Sequence, residues 1–563
     1  MSTRTREEGE SYHLRPRRSY RSFLVLGSAD YSPNVHGFRS ESQKGTPFSS
    51  QVLRRASAPC VILNCRSASK DWDGVEVGRL EPSAKLGVAG LSTWGESGNT
   101  PQVRRQVPQM EVDVCVVGAG YAGLTAARRL AAAGRTAIVL EARDRVGGRV
   151  WTQRTPEEGV PFDVGGTWLG PGQDAAHELA RELGVATYRT WTAGDHVLAT
   201  PHGVRRYSGT IPPINPIALA GLALGMARLN AMARRVPLDA PWTAPDAPAW
   251  DAKTVGDWIE NVFHVPSKQA RALLGASMRG LFTSDPSEVS LLHALYLIRS
   301  AGSLERLLSV EGGYQQDLLE GGAQEMANRM AKALGSAIRT RCPVRDIVQD
   351  ATGVLVYAGD GPVRARRALV TIPPTLAAQL RYEPQLPAER ALLMQRMPSG
   401  SIVKIALVYE EAFWRSEGLR GESVAIGSPI ESTLDASPQS GRPGVLAAFS
   451  FGPMARRFAA LGSGERRRVV IDTLVKRFGA RAGKPLHYHE QDWAEEPWTR
   501  GCYLAHLPPG VFTQFGHALR APVGRIHWAG TETATLSHGT IDGAIRSGER
   551  AAAELISAEA AES

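Results

Sequence analysis

Cysteine is scarce in this chain. Five residues in 563 (Cys60, Cys65, Cys115, Cys342 and Cys502) are too few and too scattered for a disulfide framework or a zinc site. A reducing cytoplasm fits that usage. Long apolar runs are also missing. The longest, Ile217 to Ala227, falls short of the roughly 18–20 residues of a membrane span, so none is expected. No paired Cys/His spacing suggests a metal. No nucleophile elbow is present, the nearest string being Leu461-Gly-Ser-Gly-Glu465. Charge gives little away. The net is +9, but residues 1–109 hold sixteen Lys/Arg against ten Asp/Glu, so the remaining chain is close to balanced. A nucleic-acid partner is therefore not expected.

What the chain has is a soluble, globular composition, 43% hydrophobic and 21% charged, at a length that predicts more than one domain. Residues 1–109 stand apart. They are rich in Ser, Arg and Gly, and their only apolar runs, Phe23-Leu-Val-Leu26 and Val61-Ile-Leu63, make no signal-peptide core. We expect this stretch to be a disordered or non-native extension, with Met110 as the natural start. A small regulatory or targeting region is the alternative.

The rest is organised around Asp113-Val-Cys-Val-Val-Gly118-Ala-Gly120-Tyr-Ala-Gly123. A β-favouring run enters a glycine turn, an Ala/Leu/Arg helix follows to about Ala133, and a second apolar run, Ala137-Ile-Val-Leu140, ends at Glu141. That is the dinucleotide-binding order, and each part has a task. Gly118 permits the tight turn. Gly120 lets backbone approach a pyrophosphate, and Gly123 lets the helix pack on the strand. The helix N-terminus offers N–H groups and a positive dipole end to the phosphates. Glu141 stands where an acid accepts the ribose diol. A second glycine turn, Glu141-Ala-Arg143-Asp-Arg-Val-Gly147-Gly148-Arg149, adds a fixed cation and suits the longer FAD better than NAD.

From these motifs onward the chain resembles the flavin-containing amine oxidase family, the monoamine oxidases in particular, across residues 111–557. The resemblance implies an α/β fold of two domains, a Rossmann-like FAD-binding domain interleaved with an α+β substrate domain. Residues 111–190, 320–393 and 496–557 would build the first, and 191–319 with 394–495 the second. Asp163-Val-Gly165-Gly166-Thr167-Trp168 matches a stretch that passes the flavin ring, and Pro343-Val344 matches an adenine contact. Ile526-His-Trp-Ala-Gly530-Thr-Glu532-Thr533 leads to a helix beginning near Gly539, whose N-terminus would face the flavin. The implied cofactor residues are Gly118, Gly120, Ala122, Gly123, Glu141, Ala142, Arg143, Gly148, Arg149, Gly165, Thr167, Val344, Cys502, Gly530, Glu532, Thr533 and Ile541.

The implied reaction is oxidative deamination of an amine by hydride transfer to flavin N5, with O₂ as acceptor. The imine would hydrolyse to an aldehyde and NH₃, with H₂O₂ formed at reoxidation. Three residues are implied for catalysis. Lys404 interrupts the apolar run Ser401-Ile-Val-Lys404-Ile-Ala-Leu-Val408 and would hold a water at the flavin; strand-edge snorkelling is the alternative. Trp493 would pack near it, and Tyr503 would form one wall of an aromatic cage. Cys502 matches the residue that bonds covalently to the flavin, or else is a small buried hydrophobe. Trp168, Gln315, Phe449, Tyr503 and Thr540 would meet the substrate.

One departure stands out. The family's Trp-Ser-Gly-Tyr-Met-Glu-Gly string is here Ser537-His-Gly-Thr540-Ile-Asp-Gly543, so the cage should be half open and more polar. That leaves a diamine or amino acid open as substrate. It also leaves open an FAD-dependent dehydrogenase or desaturase, an L-amino-acid oxidase of the same fold, or an FAD-bound interaction protein whose cage has decayed. A homodimer is compatible with the resemblance.

Overall fold

The computed structural model describes residues 111–209, 212–359 and 361–560. The expectations for residues 1–109 lie outside the described residues. Two large sheets carry the architecture. The first runs in the order Arg381–Glu383, Asp346–Gln349, Val354–Ala358, Gly361–Val370, Glu111–Val117, Ala137–Leu140, Ile338–Arg339. Gly361–Val370 divides its length. Its first half pairs antiparallel with Val354–Ala358, and its end pairs parallel with Ile526–Trp528. Four strands thus end in register, because Val117 lies beside both Leu140 and Val370, and Val370 lies beside Trp528. Gly118, Glu141, Thr371 and Gly530 emerge together at their carboxyl edge, where open parallel sheets bind ligands.

The Tyr121–Ala132 helix follows the first strand and packs under the Ile541–Ala560 helix. The crossing is tight. A Cβ on Gly548 would stand 2.3 Å from the Ala122 carbonyl oxygen, so this position admits only glycine. Val114, Val116, Leu124, Leu369 and Ile545 fill the space between sheet and helices.

The second sheet runs His487–Asp492, Ile402–Tyr409, Gly444–Phe451, Ser432–Asp435, Leu419–Ala425, Asp195–Thr200, Gly203–Tyr207. Its two central strands, Ile402–Tyr409 and Gly444–Phe451, are buried at every position. Both faces are covered, which explains their near-continuous apolar sequence. Residues 191–319 are mostly helical and also supply the sheet's last two strands. The short strands Thr187–Arg189 and Asp317–Leu319 pair with each other.

The Pro216–Ala233 helix bears on the expectation that no run is long enough to span a membrane. Its 18 residues make it, by length and composition alone, apolar enough to cross a membrane, although only 28% of it is buried. The apolar run Ile217 to Ala227 is its first part, and the helix continues to Ala233. Gly221 and Gly225 seat it on the Lys268–Phe282 helix: a Cβ on Gly225 would lie 3.1 Å from Val265 and 3.3 Å from Leu274.

Candidate active site

A cavity of about 960 Å³ runs from the carboxyl edge of the first sheet to the second sheet. At the first sheet it meets a glycine cradle. Gly118 has φ +105°, and a Cβ there would sit 2.9 Å from Ile372 and Thr371 side-chain atoms. A Cβ on Gly120 would meet nothing within 4 Å and would project into open space. A Cβ on Gly123 would stand 2.0 Å from the Gly118 carbonyl oxygen, so helix and turn touch there. The second glycine turn closes on the first. Gly147 N–H donates to the Ala119 carbonyl at 2.9 Å, and Gly148 lies against Gly120.

Glu141 is 3% exposed. One carboxylate oxygen accepts Ala119 N–H at 2.7 Å, and the other accepts Arg143 N–H at 3.0 Å. The second oxygen also takes the Arg143 guanidinium at 3.5 Å, so the first keeps a free lone pair, and the residue faces the cavity. Arg143 bonds Thr499 and pairs with Glu496 at 3.4 Å. Val344 lies along the same end. A space that a Cβ on Gly120 would fill, a fixed acid and an uncapped helix N-terminus suit a dinucleotide, so the residues fit FAD.

At the second sheet the cavity meets Lys404, which is 2% exposed. Its Nζ donates to the Gly165 carbonyl at 2.9 Å and to the Thr167 hydroxyl. It lies 5.0 Å from the Trp168 ring centre and 5.6 Å from that of Phe449. Phe449 is its cross-strand partner, so the two share a face by register. Burial pulls the ammonium down to about 8, while the Asp163 carboxylate works to hold it up. Burial pushes Asp163 itself up to about 6, opposed by Lys404 and by its hydrogen bonds. Trp493 donates to the Val164 carbonyl at 2.8 Å and packs under Gly165, propping the stretch that holds Lys404.

Cys502 and Tyr503 are fixed through a buried ion pair. Arg149 reaches Glu532 at 2.5 and 3.0 Å and donates to the Tyr503 carbonyl at 2.9 Å. Glu532 in turn accepts Ala505 N–H at 3.2 Å. Thr283 donates to the Cys502 carbonyl, and Cys502 N–H to that of Gly400 at 3.0 Å. Burial pushes the Cys502 thiol up to about 12, with Arg149 opposing. The Tyr503 phenol is raised above its usual range by burial.

Most residues singled out from sequence face this one cavity, including Ala122, Ala142, Gly530, Ile541 and Gln315. Gly123, Trp493, Glu532 and Thr533 stand behind its wall. The Thr533 hydroxyl bonds the Gly530 carbonyl at 2.9 Å. Thr540 lines the cavity and has a second role. Its hydroxyl donates to the Ser537 carbonyl at 2.6 Å and accepts Gly543 N–H at 3.1 Å, capping the last helix. The Gln315 amide donates to the Leu307 carbonyl at 3.2 Å.

Sequence reasoning missed Tyr314, Glu422 and Glu431, which also line the cavity. Glu431 pairs with Arg279 at 2.9 Å and accepts Phe451 N–H at 3.0 Å. An aromatic directly after Gly312-Gly313 was the available signal for Tyr314. The two acids had none, since an acid in a strand or loop is usually solvated. Among the described residues, no cluster of His, Cys, Asp and Glu could hold a metal.

Residues 121–556 match the family described as flavin containing amine oxidoreductase. A Mycobacterium tuberculosis protein named as a flavin-containing monoamine oxidase, AofH, is 40% identical over 448 residues, covering 80% of this chain and 97% of that one. The solved structure of wild-type putrescine oxidase bound to putrescine superposes with a TM-score of 0.77 at 32% identity, covering 80% of this chain and all of that one. Cyclohexylamine oxidase from Brevibacterium oxydans gives 0.76 at 34% identity with the same coverage.

Proposed function

The chain belongs to the flavin-containing amine oxidoreductase family, FAD enzymes that oxidatively deaminate amines, and we propose that its substrate is a primary amine held uncharged between Lys404, Phe449 and Tyr503. The observation that carries this reading is the buried Lys404, placed by register opposite Phe449 in the same cavity as the glycine cradle. When bound, FAD supplies a two-electron acceptor for the hydride leaving the carbon that bears nitrogen.

The chain's own residues do the rest. Gly118, Gly120 and the helix N-terminus receive the pyrophosphate, and Glu141 the ribose diol. Trp168, Phe449 and Tyr503 exclude water and orient the amine. Two Lys404 N–H bonds are spent on Gly165 and Thr167, leaving the third to hold a water at the cavity. We take O₂ as the final acceptor, which gives RCH₂NH₂ + O₂ + H₂O → RCHO + NH₃ + H₂O₂. Cys502, buried and facing the cavity, is our candidate for covalent attachment of the cofactor.

Incubating the holoenzyme in air with benzylamine, butylamine and putrescine tests the reading. Aldehyde and H₂O₂ in equal amounts are expected from at least one of them. Flavin-loaded protein that yields neither from any amine would refute it. We take the location to be a reducing cytoplasm, which the few, scattered cysteines of the sequence fit and which fractionation of native cells would check.

A further inference from the structure

We propose that Tyr314 supplies the second aromatic wall of the amine site, the one that the Ser537–Gly543 turn does not provide. The inference rests on reading this cavity as an amine site. The turn carries no phenyl or indole ring facing the cavity, and the Thr540 hydroxyl is committed to the helix cap. Tyr314 comes from a different part of the chain, lines the same cavity and is 6% exposed. Its hydroxyl lies 3.3 Å from the Ser537 hydroxyl. The ring therefore bridges from the Gly312–Gln316 segment to the turn that lost its aromatics.

Both ends of that bridge are fixed. At one end, a Cβ on Gly313 would stand 2.0 Å from the Ser309 carbonyl oxygen, and one on Gly170 would stand 2.1 Å from that of Gly313. Tyr314 N–H donates to the Arg306 carbonyl at 2.8 Å. At the other end, Ser537 N–H donates to the Ser300 carbonyl at 3.0 Å, and His538 N–H to the Ser300 hydroxyl at 3.2 Å. Tyr296 donates to the Ala534 carbonyl at 2.6 Å. His293 and His538 meet at 3.1 Å through their Nε2 atoms. Leu507 N–H points at His293 Nδ1, so His293 carries its proton on Nε2 and donates to His538. Burial holds the Tyr314 phenol above its ordinary range, so the wall stays neutral and suits an uncharged amine with an apolar substituent.

Anaerobic stopped-flow on flavin-loaded wild type, Tyr314→Phe and Tyr314→Leu tests this with benzylamine and butylamine. Tyr314→Phe keeps the ring and should hold the apparent Kd within about threefold of wild type. Tyr314→Leu should raise the Kd about tenfold, with a smaller change in the limiting reduction rate. A leucine variant that binds and reduces like wild type would overturn the proposal. Should that variant fail to retain flavin, crystals of dithionite-reduced wild type with the better amine decide instead. The amine substituent is expected within about 4.5 Å of the Tyr314 ring, and an amine seated away from it would overturn the inference. Wild type that neither amine reduces would count against the amine reading itself. Wild type that is reduced, with an indifferent leucine variant, would count against Tyr314 alone.

Discussion

Lys404 and Gly165 are joined by a 2.9 Å hydrogen bond from the lysine Nζ to the glycine carbonyl, across 239 residues of sequence. The bond ties a fully buried strand of the second sheet to the loop that follows Pro161–Asp163. A buried ammonium held mainly by neutral oxygens is costly, since charge in a low-dielectric site needs compensation. Burial shows that cost by pulling Lys404 down to about 8. A buried charge kept at such cost and facing a cavity has the character of a functional residue.

Lys404→Met should fold and retain flavin, because an unbranched apolar chain fills the same buried slot. Reaction of the reduced enzyme with O₂ should slow on the order of 100-fold, the scale of losing one fixed charge at a reacting centre. The lysine is protonated below about pH 8, so in wild type kcat/KM for O₂ should fall as pH rises through about 8. That limb should be missing in the methionine variant. Oxygen-electrode assays across pH 6–10 (roughly two units either side of this value) would show it.

Two glycines three residues apart should respond in opposite ways. Gly120→Ala has room for its methyl, so the apoprotein should fold normally. The methyl would enter the phosphate space and weaken FAD binding about tenfold or more. Gly123→Ala would drive a methyl to 2.0 Å from the Gly118 carbonyl and should lower folding yield instead. Flavin titration of the apoproteins, alongside their melting curves, separates the two effects.

Glu532→Gln tests the ion pair behind the cavity. Glu532 is buried, and Arg149 holds its carboxyl below the usual range despite the burial. Removing the charge leaves a guanidinium without its partner, at a cost of about 3–5 kcal/mol. The variant should melt earlier and lose flavin more readily, since the same pair positions the Cys502–Ala505 segment. A melting temperature and flavin content equal to wild type would contradict this role.

Cys502→Ala should leave the fold intact, because the thiol is a small buried group. Acid precipitation of wild type should keep the yellow colour in the pellet, and the alanine variant should release it. Colour in the wild-type supernatant would exclude the covalent bond.

The cofactor half of the site was legible because its information is local. Gly118, Gly120, Gly123 and Glu141 lie within one strand–turn–helix–strand unit, and the glycines state their backbone needs directly. Lys404 was legible as the single charge in an eight-residue buried strand. The second wall that we propose for the amine site was not. Tyr314 reaches Ser537 across 223 residues, and no periodicity marks such a contact. Thr540 lines the cavity as its place in the motif implied, but its capping role was not read, although Thr is a common cap at a helix start. Glu431 carries no local mark in the sequence, because its partners Arg279 and Phe451 come from other elements.

The most direct test of the account is anaerobic mixing of the flavin-loaded protein with a panel of primary amines, followed by its visible absorption. The expected result is amine-driven bleaching of the flavin band, reversed on admitting air. Folded, flavin-loaded protein that no amine bleaches would contradict the central claim.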